Sequence, residues 1–154
     1  MIYKRQIRIW QVCLFPFIGG KYICKLLTVD AFFLNEDRHT HNIAVLLDDK
    51  NEFHLCPLFD HGAALLSDTT MDYPMGVDLE QLVNNVKAKT FCTDFDEQLD
   101  LAEYLYGQQV RFRFTREDVM DILGKDNHYP EDIKQRVLNL ILEQKRKYQY
   151  LFEA

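Results

Sequence analysis

The sequence predicts an α+β, mainly α-helical fold that contains one β-hairpin. Two observations lead to this class. Apolar residues recur at helical spacing through most of the chain after residue 77, and two short β-type runs flank a polar turn near residue 50. The chain has 154 residues, 47% of them hydrophobic, which is enough for one apolar core. We therefore expect one compact domain with a hairpin set among helices.

The net charge and the cysteines of the sequence indicate which partners and which cellular compartment to expect. The net charge of −6 argues against a nucleic-acid partner bound through a basic surface. The four cysteines are widely spaced and form no C-x-x-C pair, which is typical of reduced thiols. No apolar run approaches the roughly 20 residues that cross a bilayer. We expect a cytoplasmic protein without a direct nucleic-acid or membrane partner.

Residues 1–20 form an N-terminal segment of uncertain structure. Their partial apolar alternation is typical of a strand or a short buried segment, and Gly19-Gly20 is expected to end it as a turn. Helical spacing then predicts a buried helix from Lys21 to Leu34, with Asn35 in the left-handed conformation at its end. The sequence thus predicts a boundary before residue 21 and a main unit over 21–154.

The second half of the chain predicts four helices. Each has a recognisable start or stop residue, such as a capping side chain, a proline or a glycine. They are Asp78–Val86, a helix from Thr93 or Asp94 to Tyr106, a helix from the Thr115-x-x-Asp118 capping box to Gly124, and a helix from Pro130 almost to the C-terminus.

The predicted hairpin pairs Ile43–Leu47 with Phe53–Phe59 around the polar turn Asp48–Asn51. Asn42 precedes the first strand and Asp60 follows the second. Because antiparallel pairing aligns the start of one strand with the end of the other, we expect these two residues to lie close together.

The polar residues at this end of the hairpin have the chemistry of phosphoryl transfer. Asp37 is a candidate for the carboxylate that accepts or orients the proton of an attacking hydroxyl. Asn42 and Asp60 offer oxygen ligands of the kind that Mg²⁺ prefers. Arg38 and His39 are expected to orient Asp37 or to offset the developing phosphate charge.

These motifs resemble those of a known kinase family. Asp37-Arg38-His39-x-x-Asn42 is similar to the catalytic loop of phosphatidylinositol kinases and of the bacterial HipA-like serine/threonine kinases. Asp60-His61-Gly62 resembles their magnesium-binding motif, and the preceding helix makes the HipA-like family the closer match. The resemblance implies a helical C-lobe of a protein-kinase-like fold from about Lys21 onward. It also implies Asp37 as catalytic base, Asn42 and Asp60 as ligands of Mg²⁺ and ATP, and a protein Ser or Thr as substrate.

The sequence departs from a complete kinase at its start. A kinase N-lobe has a phosphate-covering glycine-rich loop and a strand lysine paired with a helix glutamate. Gly19-Gly20-Lys21 lacks the spacing of either glycine-rich phosphate motif. The expectation is a truncated kinase or one half of a split kinase. An inactive kinase lobe that binds a companion chain or an antitoxin-like regulator is the alternative.

Two further interpretations remain open. His39-Thr40-His41, with Asp60-His61 and the nearby His54 and Cys56, would suit a metal-dependent hydrolase with a transition metal such as Zn²⁺. Ser67, Thr69 and Thr70 occupy the place of an activation segment, where phosphorylation is conceivable.

Overall fold

The computed structural model describes residues 5–8 and 16–153 and has an α+β, mainly helical fold. The predicted class is therefore confirmed at this level. Within the described residues the strands are β1 (Arg5–Arg8), β2 (Ala44–Leu47) and β3 (Phe53–Leu55), and the helices are α1 (Pro16–Phe33), α2 (Leu79–Asn85), α3 (Phe95–Tyr106), α4 (Arg116–Lys125) and α5 (Glu131–Lys147).

The strands form a small antiparallel sheet in the order β1-β2-β3. Val45 pairs with Leu55 and Leu47 pairs with Phe53, so the predicted hairpin is confirmed, although β3 is shorter than the run in the sequence. β1 pairs with the other edge of β2, where Arg8 lies opposite Ala44. Residues 1–4 and 9–15 of the predicted N-terminal strand lie outside the described residues.

Helices α2 to α5 confirm the four helices predicted for the second half. Asp94 is the N-cap of α3, since its side chain accepts hydrogen bonds from the amides of Asp96 and Glu97. Thr115 and Asp118 make both bonds of the predicted capping box at the start of α4. Local cap chemistry was therefore a sound guide to these helix starts.

The predicted start of α1 is wrong. The helix begins at Pro16, and Gly19 and Gly20 lie inside it, so it continues through the boundary drawn before residue 21. The reason is tertiary packing: a Cβ at Gly20 would overlap the ring of Tyr106 on α3. The missing side chain lets the two helices approach closely, which a reading of glycine as a helix breaker overlooks.

The predicted end of α1 is displaced by one residue. Leu34, not Asn35, adopts the left-handed conformation, with a φ of 53°. The amide of Asn35 donates to the carbonyl of Asp30 at 2.9 Å, which is the longer bond of a Schellman motif. Asn35 is thereby held at the first position beyond the left-handed turn, with its side chain available for buried contacts.

The larger core is centred on Phe32 of α1, which is fully buried. Its ring lies 4.6 Å from that of Phe112 and 5.6 Å from that of Phe152, measured between ring centroids. The segment after α3 also bonds the C-terminus, because the amide of Phe112 donates to the carbonyl of Leu151 at 2.7 Å. Aromatic packing therefore joins the first helix to the last residues described.

Among the described residues, Cys24, Cys56 and Cys92 are free thiols. Cys13 lies outside the described residues. None of the helices in the described ranges combines the length and apolar character needed to cross a membrane.

Candidate functional site

The candidate site is built around the buried side chain of Arg38. Its guanidinium holds the Asp30 carboxylate along one edge, with Nε 2.8 Å from Oδ2 and Nη2 3.1 Å from Oδ1. Both side chains are almost completely inaccessible to solvent. A charge this deeply buried persists only when it is paired and hydrogen-bonded, so the two residues fix the loop after α1 against that helix.

The remaining terminal nitrogen of Arg38 joins the two ends of the hairpin. Nη1 donates to the carbonyl of Asn42 at 3.0 Å and to the carbonyl of Phe59 at 2.8 Å. Because one nitrogen contacts both carbonyls, the chain segments that carry Asn42 and Asp60 lie side by side. This arrangement agrees with the close approach of Asn42 and Asp60 that antiparallel pairing predicts.

Asn35 provides a second link beneath the site. Its Nδ2 donates to Oδ1 of Asp30 at 2.7 Å and approaches the carbonyl of Asp60 at 3.4 Å. Asp60 itself has a φ of 59°, a left-handed conformation that aspartate tolerates better than most residues. The backbone at Asp60 is therefore held in an uncommon conformation by its buried neighbours.

The carboxylates of Asp37 and Asp60 are exposed above this network. Neither makes a hydrogen bond or ion pair with any described residue. The side chain of Asn42 is oriented, because its Nδ2 donates to the carbonyl of Asp37 at 3.3 Å. That bond leaves Oδ1 as the amide atom suited to a cation.

His61 also contacts the Arg38 guanidinium, with 3.0 Å between Arg38 Nη2 and His61 Nε2. Arginine can only donate, so Nε2 must be the unprotonated acceptor nitrogen. Burial lowers the pKa of His61, and the positive charge of Arg38 lowers it further. The contact of His61 with Arg38 helps to hold the backbone of Asp60, the residue before it.

His39 and Arg38 both make contacts within the loop that carries Asp37. The Nδ1 of His39 accepts from the amide of His41 at 3.2 Å and caps the 3₁₀ turn Thr40–Asn42. The Arg38 guanidinium is fully buried and engaged. Of its two predicted roles, orienting the loop that carries Asp37 agrees with these contacts, and offsetting the phosphate charge stays a prediction.

The segment after Asp60 is anchored to the same loop. The Tyr73 hydroxyl donates to the Glu36 carboxylate at 2.6 Å, and burial together with this bond raises the pKa of Tyr73. Ser67 donates to the carbonyl of Gly62 at 2.7 Å, while Asp68 accepts from the hydroxyl of Thr70 at 2.9 Å. These bonds order the segment without a phosphate, and phosphorylation there stays a prediction.

Of the histidines proposed for a transition-metal hydrolase, His39 and His41 lie next to each other, with 5.3 Å between their ring centroids. In the described part of the chain, only Asp48, Glu52 and His54 place three carboxylate, imidazole or thiolate ligand atoms within 4.8 Å of one another. The Asp48 carboxylate already accepts from the amides of Lys50 and Glu52 and pairs with His54. The amide of Glu52 above all lowers the pKa of Asp48, which indicates a structural role in the hairpin turn.

Sequence reasoning missed Asp30 and Asn35, which complete the buried network. A signal for Asp30 was available, because it interrupts an otherwise apolar helical stripe that includes Leu27, Ala31 and Leu34. A carboxylate on a buried helix face requires a cationic or hydrogen-bonding partner. The identity of that partner could not be read from spacing alone.

Comparison of the chain with models of protein families, with curated proteins and with solved structures gives no match.

Proposed function

We propose that this chain is the C-terminal lobe of a HipA-like serine/threonine kinase, which binds Mg²⁺–ATP and transfers the γ-phosphate to a protein hydroxyl. The observation that carries the proposal is the pair of exposed carboxylates of Asp37 and Asp60 above one buried network, neither of which has a partner in the part of the chain that the structure describes. Arg38 fastens both chain segments at their base. Two exposed carboxylates on unrelated surface loops would not both be attached to the same buried side chain.

Asp37 is the group that meets the attacking hydroxyl in this proposal. Its carboxylate is accessible, and its backbone carbonyl is bonded to Asn42 at 3.3 Å. A carboxylate in this position accepts or orients the hydroxyl proton as the oxygen attacks phosphorus. Arg38 is a positioning residue, since it supports the loop without reaching the reacting atoms.

Asn42 and Asp60 are the residues that would hold Mg²⁺. The amide oxygen and the carboxylate form a hard oxygen donor set, which fits this ion. Bound Mg²⁺ would neutralise charge on the phosphate groups of ATP. The segments that carry the two ligands are fixed by Arg38 Nη1, and Asn35 contacts the carbonyl of Asp60. The ligand positions thus depend on the buried network.

In this proposal, a second lobe covers the nucleotide. The glycine-rich loop and strand lysine of an N-lobe would come from other parts of the same protein or from a companion chain. A protein Ser or Thr is the expected acceptor, and an antitoxin-like regulator remains a predicted partner. The C-lobe alone would bind Mg²⁺–ATP weakly, because only one side of the nucleotide is enclosed.

The deciding experiment is a calorimetric titration of ATP with and without Mg²⁺. We expect Mg²⁺ to tighten binding, and Asp60→Ala or Asn42→Ala to weaken Mg²⁺–ATP binding by about tenfold or more, since each removes a ligand. Asp37→Asn should retain this binding. In the presence of an N-lobe it should reduce phosphate transfer by about 10²- to 10⁴-fold, because the proton acceptor is lost.

Asp100→Ala is the matched control, since it removes an exposed aspartate from helix α3. Its Mg²⁺–ATP affinity should equal that of the wild type. ATP binding that is indifferent to Mg²⁺, or equal losses in Asp60→Ala and Asp100→Ala, would contradict the metal site. Binding without any transfer in the completed two-lobe protein would favour the inactive binding module.

A further inference from the structure

The loop between helices α2 and α3 runs beside the candidate catalytic loop. The hydroxyl of Thr90 donates to the carbonyl of Arg38 at 3.0 Å. Arg38 directly follows Asp37, and Lys89 directly precedes Thr90. Because consecutive Cα atoms are about 3.8 Å apart, this one bond keeps the Cα atoms of Asp37 and Lys89 within about 15 Å of each other. An extended peptide of roughly five residues spans that distance.

Buried side chains anchor this loop to the protein. Val86 and Ala88 are buried and belong to the larger core. The amide of Ala88 also donates to the carbonyl of Thr93 at 3.2 Å. Lys87 and Lys89 alternate with the two buried residues, and both are exposed. The packing of the loop therefore fixes the backbone that carries the two lysines and leaves their side chains in solvent.

The two lysines are cations without a partner. Neither Lys87 nor Lys89 makes an ion pair or a side-chain hydrogen bond with any residue in the described part of the chain. The hydrogen bond from the amide of Glu97 is the main cause that lowers the pKa of Asp94, and the charge of Lys87 contributes to this shift. The Asp94 side chain is already engaged, because it caps α3 by accepting from two backbone amides. Both ammonium groups are therefore available to a carboxylate from outside the chain.

An exposed aromatic ring lies next to these cations in the loop. Phe91 follows Thr90 and is 62% exposed. We refer to Lys87, Lys89 and Phe91 as the lysine surface, which offers positive charge together with an apolar contact. The whole chain has a net charge of −6. An acidic ligand is repelled by this net charge, so two unpaired cations form a local site of attraction for it.

We propose that the lysine surface binds the segment of the acceptor protein around the phosphorylated serine or threonine, and that it selects acidic and apolar residues there. Charge complementarity favours this occupant, because an extended peptide whose hydroxyl meets Asp37 is long enough to reach Lys89. The inference rests on the proposed kinase function, since it assigns Asp37 to the acceptor hydroxyl. It adds the residues that choose the substrate.

The test is an NMR titration of the whole chain with three peptides that share a central serine. The acidic peptide is Asp-Leu-Asp-Gly-Ser-Gly-Asp-Leu-Asp, and asparagine or lysine replaces every aspartate in the neutral and the basic peptide. We expect the acidic peptide to bind about three- to tenfold more tightly than the neutral one, since each exposed ion pair contributes modestly. The amide resonances of residues 87–91 should move on titration with the acidic peptide.

The variant Lys87→Glu/Lys89→Glu should reverse the preference, so that the basic peptide binds more tightly than the acidic one. A gain of affinity for the basic peptide cannot result from a loss of folding. Lys25→Glu/Lys50→Glu is the matched control, because it reverses two exposed lysines elsewhere and changes the net charge by the same amount. It should keep the preference for the acidic peptide. Phe91→Ser should weaken binding of the acidic peptide by about threefold or more, since it removes the apolar contact.

Equal affinity for the acidic and the neutral peptide, or an unreversed preference in Lys87→Glu/Lys89→Glu, would overturn the inference. A loss of Mg²⁺–ATP affinity in this variant beyond that of the matched control would also overturn it, because the lysines would then contact the nucleotide phosphates. Failure of the wild type to bind Mg²⁺–ATP would instead contradict the proposed function, and the peptide titrations are measured separately from it.

Discussion

At the scale of single residues, the Arg38–Asp30 pair determines where the candidate catalytic loop lies. The pair is buried, and Arg38 bonds three separate parts of the chain, the end of α1 and both ends of the hairpin. Removing one partner leaves an uncompensated charge inside the protein, whereas removing both leaves only lost hydrogen bonds. A single substitution in this pair should therefore lower the stability of the protein more than substitution of both residues together.

Arg38→Met is expected to lower the free energy of unfolding by about 3 to 5 kcal/mol, because the Asp30 carboxylate remains buried without its partner. The double variant Arg38→Met/Asp30→Leu should be more stable than Arg38→Met alone. Urea unfolding followed by circular dichroism measures both. As a control, Arg113→Met removes the exposed partner of Glu153 and should change stability by less than about 1 kcal/mol. A similar small change in Arg38→Met would contradict a structural role for the buried pair.

Part of the candidate site can be predicted from the sequence at the scale of single residues. Asp37, Asn42 and Asp60 could be placed together because strand periodicity predicts the hairpin, and antiparallel pairing then follows from geometry. The contacts beneath them could not be predicted, since the pairing of Arg38 with Asp30 and His61 depends on how helix α1 packs against the loop. Burial of an arginine is a tertiary property, and nothing in its local spacing distinguishes it from an exposed one.

At the scale of elements, the contact between α1 and α3 explains both a success and a failure of sequence reasoning. Helix α3 follows from its aspartate cap and its apolar spacing, which are local properties. The start of α1 does not, because Gly19-Gly20 has low intrinsic helix propensity and is kept helical by its surroundings. Gly20 sits where the ring of Tyr106 packs against the helix backbone.

Gly20→Ala is expected to destabilise the protein by about 1 to 3 kcal/mol, because the added methyl group overlaps the Tyr106 ring. Gly19→Ala is a matched control one residue away, where an added Cβ meets no atom within 4 Å. It should stabilise the helix by up to about 1 kcal/mol through its higher helix propensity. Thermal unfolding of the two variants gives the comparison. Stabilisation by both substitutions would show that the close helix contact is absent.

At the scale of the whole molecule, the aromatic core ties the first helix to the C-terminal residues. Phe32 packs against Phe112, Phe114, Tyr148 and Phe152, which come from both sides of α4 and α5 in sequence. The composition predicts an aromatic-rich core, but not which ring lies at its centre. That position depends on the packing of elements some 80 or more residues apart, which no local pattern encodes.

Phe32→Ala should lower the free energy of unfolding by about 3 to 5 kcal/mol, because it removes a buried ring and leaves a cavity among its neighbours. The exposed Phe91 offers a control, and Phe91→Ala should change stability by less than about 0.5 kcal/mol. Chemical denaturation followed by far-ultraviolet circular dichroism measures both. Equal losses in the two variants would argue against Phe32 as the centre of the core.

Because Arg38 holds both ends of the hairpin, it affects what determines the length of the hairpin tip. The seventeen residues between Asn42 and Asp60 form a loop whose ends are fixed by one guanidinium nitrogen. A longer tip around Lys50 would cost little loop-closure entropy, which grows only slowly with length. An insertion in this turn would break the bonds that the amides of Lys50 and Glu52 donate to the Asp48 carboxylate. The length of the tip is therefore set by the Asp48 turn and not by loop closure at the base of the hairpin.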